Sequence, residues 1–152
     1  MRYTCLCMML AGFAGTVTAA DLSVVGTWQR TVDKSDLSAG VGSDLATEIL
    51  SLPGVATLSI TGATGTHWRV ETLRANDTNW PAGVAIAVRS SGATGDVVGG
   101  AGYLDVTSTP QTLCEGTGDA SVEIQFRVAG ATVRTRANLY NLLISYRIVS
   151  LP

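Results

Sequence analysis

Apolar and polar residues alternate along much of this chain, most persistently near its C-terminal end. Across residues 139–149, Tyr140, Leu142, Ile144, Tyr146 and Ile148 share one parity. Side chains two apart point to the same face of a β-strand, so these five predict one apolar row. Such a row needs an opposing sheet to cover it. Residues 122–128 repeat the pattern, with Val122, Ile124, Phe126 and Val128 inward and Glu123, Gln125 and Arg127 outward. Residues 67–74 set Trp68, Val70 and Thr72 against His67, Arg69 and Glu71. Ala56, Leu58 and Ile60 form a further row, and so do Val84, Ile86 and Val88; residues 103–107 read as another strand. At the start, Leu22, Val24, Gly26, Trp28, Arg30 and Val32 predict a strand over 22–32 that is apolar except at Arg30.

Turn signals separate these runs. Pro53-Gly54, the glycines of 62–65, the loop 75–83, the glycine-rich stretch 90–102, Pro110 and Gly116-Thr117-Gly118-Asp119 all read as breaks. Residues 33–43 read as loop. For 43–50, a short helix capped by Ser43 and an irregular strand both fit. No window holds helical periodicity over three turns, and the spacing is too tight for βαβ crossovers. The expected fold is all-β: an antiparallel β-sandwich of about seven short strands, with a jelly-roll or small β-barrel as the alternative.

The first twenty residues stand apart. Arg2, the apolar run 6–13 and the small residues 16–20 have the layout of a secretory signal peptide, with cleavage expected after Ala19 or Ala20. The apolar run is shorter than the ~20 residues that a membrane anchor needs. That leaves 21–152 as one domain, of a size that supports a real core. The formal net charge is −2 and Lys34 is the single lysine, so the footprint of a nucleic-acid partner is missing. Cys5 and Cys7 depart with the leader. Cys114 then has no intrachain partner, and is expected to be a buried, inert thiol.

Candidate chemistry is sparse. His67 is the only histidine and reads as a solvated strand residue, and no nucleophile elbow accompanies it. Zinc ligands are too few. Asn76, Asp77 and Asn79, or Asp33 and Asp36, are possible oxygen donors for calcium, yet such clusters are commonly turn formers. The glycines of 92–95 and 99–102 lack the lysine and helix of a phosphate cradle. Asn76-Asp77-Thr78 matches the N-glycosylation pattern. Nothing here points to an enzyme or a cofactor. Trp80, in the loop before Pro81, can stack on a sugar, anchor a protein contact or fold back over the core.

The tail Ala137-Asn138-Leu139-Tyr140 with the alternating strand through Ile148 resembles the closing strand of fimbrial and spore-coat-U-like subunits. In those, a small residue and a tyrosine precede such a strand. The resemblance implies an exported immunoglobulin-like sandwich, assembled by chaperone–usher machinery and locked by donor-strand complementation. The segment 21–32 would be the donor strand. The disulfide common in that family is absent, and the chain continues to Leu151-Pro152. The expectation is a secreted, non-enzymatic structural subunit of a surface filament, pilus or coat, partnered with copies of itself. Its assembly residues would be Leu22, Val24, Trp28, Tyr140, Leu142, Ile144, Tyr146 and Ile148. A secreted carbohydrate- or protein-binding module using Trp80 is the alternative.

Overall fold

The alternation at 122–128 belongs to a much longer strand, Gln111–Ala129, around which the sheet is laid out. The computed structural model describes residues 20–76, 80–136 and 138–152. In chain order these form β1 (Asp21–Gly26), a 3₁₀ turn (Lys34–Asp36), β2 (Glu48–Leu50), β3 (Ala56–Thr61) and β4 (His67–Asn76). They continue with β5 (Ala85–Val98), β6 (Leu104–Asp105), β7 (Gln111–Ala129) and β8 (Leu143–Leu151). The protein is all-β, and its antiparallel strands make one sheet that curls into a half-barrel.

One edge of β7 carries β2, β3 and β4 in succession, in registers Glu48↔Ala129, Ala56↔Ile124 and His67↔Thr117. These three strands behave as one long strand interrupted by excursions at 51–55 and 62–66. At the first excursion Ser51 replaces the missing ladder contact. Its Oγ accepts from Phe126 N at 2.8 Å, and its carbonyl accepts from Gln125 Nε2 at 2.8 Å. The other edge of β7 is lined by β5, from Ala85↔Ala129 to Val98↔Glu115, and β6 pairs beyond it.

The inward rows are largely those that alternation predicts. Leu58, Ile60, Trp68, Val70, Val88, Val122 and Ile124 are all essentially inaccessible to solvent. Cys114 is buried with them, as expected.

Two expected breaks are strand instead. Gly116 to Asp119 lies inside β7, and residues 90–98 of the glycine-rich stretch lie inside β5. Glycine suits a turn, but it also suits a place where another group must approach the backbone. Here the indole of Trp68 crosses the β7 backbone at Gly116 and donates from Nε1 to Gly118 O at 2.7 Å. β5 is bulged next to this level, between Thr94 and Asp96, and again further along, between Ser90 and Gly92 opposite Ile124 and Glu123. Bulges increase local twist and bend a strand, so the bulge beside Gly116 helps the sheet curl over its own core.

The N-terminal strand is shorter than the predicted 22–32. It stops at Gly26, whose φ is +120° and where a Cβ would collide with the Val55 carbonyl and Ala56. Beyond it the chain leaves the sheet. Trp28 stacks on Phe126 with ring centroids 6.0 Å apart, and Arg30 pairs with Asp36. In 43–50, Ser43 closes a turn by donating to Gly40 O at 2.7 Å, and the segment ends in β2 rather than in a helix. The last strand starts at Leu143, later than the alternation implies. Tyr140 and Leu142 precede it, and the Tyr140 hydroxyl donates to Arg136 O.

Candidate assembly edge

β8 lies beside β4 in registers from His67↔Leu151 to Asn76↔Leu143, and β1 lies beside β3 from Asp21↔Thr61 to Gly26↔Ala56. Because β3 and β4 follow one another along β7, β8 and β1 also follow one another, with the end of β8 near the start of β1. Together they form the outer margin on this side of the sheet. Neither has a second strand neighbour among the described residues. A margin of unpaired N–H and C=O groups is a template for another strand.

Burial falls off across this margin. Trp68, Val70 and Thr72 on β4 are 0% exposed, whereas the residues opposite or beside them on β8, Ile144, Tyr146 and Ile148, are only half-buried. Leu22 is half-buried on β1, while Val24 is 46% and Val25 71% exposed. Leu142 packs against the core from just before β8, and Leu143 is 59% exposed. Of the eight predicted assembly residues, Leu22 and Val24 thus lie on β1, and Ile144, Tyr146 and Ile148 on β8. Trp28, Tyr140 and Leu142 lie on the flanking segments. The apolar row is covered from one side only.

The polar chemistry of the margin is divided between its two faces. Outside, Arg147 pairs with Glu71 at 2.6 Å and Arg69 with Glu115 at 2.7 Å, exposed ion pairs that contribute at most ~1 kcal/mol each. Inside, the Tyr146 hydroxyl and Thr72 Oγ1 sit on directly paired residues, and each is buried without a hydrogen-bond partner. Burial pushes the Tyr146 phenol far above its ordinary value, so it stays protonated and able to donate. Sequence alternation identifies Tyr146 but cannot identify Thr72 as its neighbour, since strand register is non-local.

The other sequence candidates do not converge on a site. His67 Nδ1 lies 3.0 Å from Thr117 Oγ1 on the outer face. Asp33 and Asp36 cap the 3₁₀ turn: Asp36 Oδ2 accepts from Asp33 N at 2.9 Å, and Asp33 Oδ1 from Ser35 N at 2.7 Å. That backbone bond, with Arg30 beside it, holds the Asp36 carboxyl below the usual carboxylate range. These oxygens are occupied by the turn. Among the described residues no group of three His, Cys, Asp or Glu side chains is placed to hold a metal. Asp77, Thr78 and Asn79, and with them most of the other calcium cluster and the glycosylation pattern, lie outside the described residues. Trp80 is half-buried against the core, and its Nε1 donates to Val84 O at 2.7 Å. An open cleft of about 340 Å³ nearby is lined by Arg74, Val84, Ile86, Asp105 and Thr107, without Trp80.

Cys114 gives a direct test of core burial. Desolvation, with a smaller contribution from Glu115, pushes its thiol up to about 11. At pH 8 the folded protein is expected to resist a colorimetric thiol reagent that reacts at once with the urea-unfolded chain. Rapid native labelling would show that the β4–β7 region opens. The sign for stability follows from the raised value. Between pH 9 and 11 only the unfolded chain ionises readily, so this residue lowers stability as the pH rises through that window.

No protein-family model, no curated protein and no solved structure matches this chain.

Proposed function

We propose that the chain is a secreted, non-enzymatic structural subunit of a surface filament, pilus or coat, joined to its neighbours by strand pairing. The observation that carries this reading is the half-covered apolar margin made by β8 and β1. β1 pairs with β3 of its own chain, so donation here takes the form of exchange. One copy's β1 leaves its own β3 and occupies the same place on the next copy. Little opposes that exchange. β1 is six residues long, only Leu22 among them is half-buried, and the chain leaves the sheet at Gly26. Exchange repeats the β1–β3 pairing between copies and leaves the β8 edge open to a further strand, whose addition would bring the margin closer to the immunoglobulin-like sandwich that the C-terminal resemblance implies.

The test is the assembly state of the exported protein. It should be recovered outside the cell, elute as large oligomers and form fibres or sheets in electron micrographs. Deleting residues 21–32 should abolish those assemblies. A full-length protein that stays monomeric at high concentration overturns the proposal.

A further inference from the structure

We infer that the unpaired edge of β8 binds β8 of a second copy, antiparallel and about a two-fold axis, with Tyr146 of one copy opposite Tyr146 of the other. The inference rests on the strand-pairing reading above and specifies one of its contacts.

The register follows from the strand itself. Directly opposed residues in an antiparallel pair share a face, so the inner row of one copy necessarily meets the inner row of the other. The register of greatest overlap would set Arg147 against Arg147. Like charges placed opposite one another, ~5 Å apart, are destabilising. Arg147 is 56% exposed and pairs with Glu71 on its own β4. Sliding the strands so that Tyr146 faces Tyr146 moves the arginines apart to diagonal positions, ~7–8 Å from each other, and sets each Arg147 against Ser145. Residues 143–149 of both copies then pair. Ile144 meets Ile148 on the inner face, and Leu143 meets Val149 on the outer face.

Sliding the other way, to set Ile148 against Ile148, also separates the arginines. It places Tyr146 against Ser150 and Leu151 against Ser145, apolar against polar. The first register is the one that keeps the arginines off directly opposed positions and still pairs apolar with apolar side chains along the inner row. That is the argument for a second copy as occupant. The half-buried Ile144, Tyr146 and Ile148 and the 59% exposed Leu143 gain cover in one step. The two half-barrels end with their concave faces on the same side. A two-fold contact closes on itself, so growth beyond a pair would use the β1–β3 exchange.

Single-cysteine variants Leu143→Cys and Val149→Cys, mixed as full-length proteins under mild oxidation, test the register. Opposed positions lie about 4.5–5.5 Å apart between Cα atoms, within disulfide reach. Both variants retain Arg147, so the repulsion that selects the register is intact, and wild type controls for Cys114. The mixture should give a crosslinked heterodimer at least tenfold in excess of either homodimer. A heterodimer with no larger species supports this contact and counts against the filament. Large assemblies without the crosslink overturn this contact while leaving strand exchange standing. A monomeric, uncrosslinked mixture overturns both.

Discussion

Trp68→Ala is expected to cost about 3–5 kcal/mol of folding stability, the usual range for deleting a fully buried tryptophan. Trp68 is 0% exposed, and its ring lies over the β7 backbone where the sheet curls. Alanine would leave a cavity between β4 and β7, and would also remove the donor that satisfies Gly118 O. A domain of this size is typically stable by ~5–15 kcal/mol, so the loss is a large share of the total. Urea denaturation should show it as a midpoint shift with little change in slope. Trp68→Phe restores most of the apolar volume but not the indole N–H. Its cost should fall to about 1–3 kcal/mol, the range for a half-buried carbonyl left without its donor. Equal costs for the two variants would show that the hydrogen bond, not the packing, holds the curl.

Gly116→Ala should be nearly as damaging although it adds a single methyl group. A Cβ at this position would lie 2.5 and 2.6 Å from two atoms of the Trp68 ring, and closer still to the Asp96 carbonyl oxygen on β5. Overpacking a core commonly costs ~1–3 kcal/mol and sometimes more. The upper end is expected here, because one of the obstacles is backbone. The Asp96 carbonyl also sets the result of combining substitutions. Trp68→Phe in the Gly116→Ala background relieves the ring contact but not the carbonyl contact, so it should rescue only part of the loss. Full rescue would show that β5 yields freely at Asp96. A Gly116→Ala protein within 0.5 kcal/mol of wild type would show that β4, β5 and β7 are not tightly joined at this level.

Most of the inward residues were legible in the sequence. Leu58, Trp68, Val70, Ile86, Val88, Val122 and Ile124 are buried where alternation puts them, because side-chain direction is a local property of an extended backbone. The alternation also carried the last strand, although it ran too early, through Tyr140 and Leu142, which precede β8. Strand ends and strand breaks were less legible. Gly116 to Asp119 has turn composition, yet it lies inside β7 because Trp68, 48 positions before Gly116, needs a backbone without a Cβ beneath it. The pattern 22–32 keeps its parity beyond Gly26, yet β1 ends there because Val55 and Ala56 of a neighbouring segment crowd that glycine, and Trp28 is drawn to Phe126.

The candidate site divides in the same way. Alternation is enough to read Leu22, Val24, Ile144, Tyr146 and Ile148 as apolar positions on strand faces. That β8 and β1 fall on one margin, that Thr72 lies opposite Tyr146, and that the row is half-covered where β4 beside it is sealed follow from the folded chain alone. Those facts depend on which strands pair and on where the sheet curls. Both are set by contacts between residues far apart in the chain, which no local periodicity encodes.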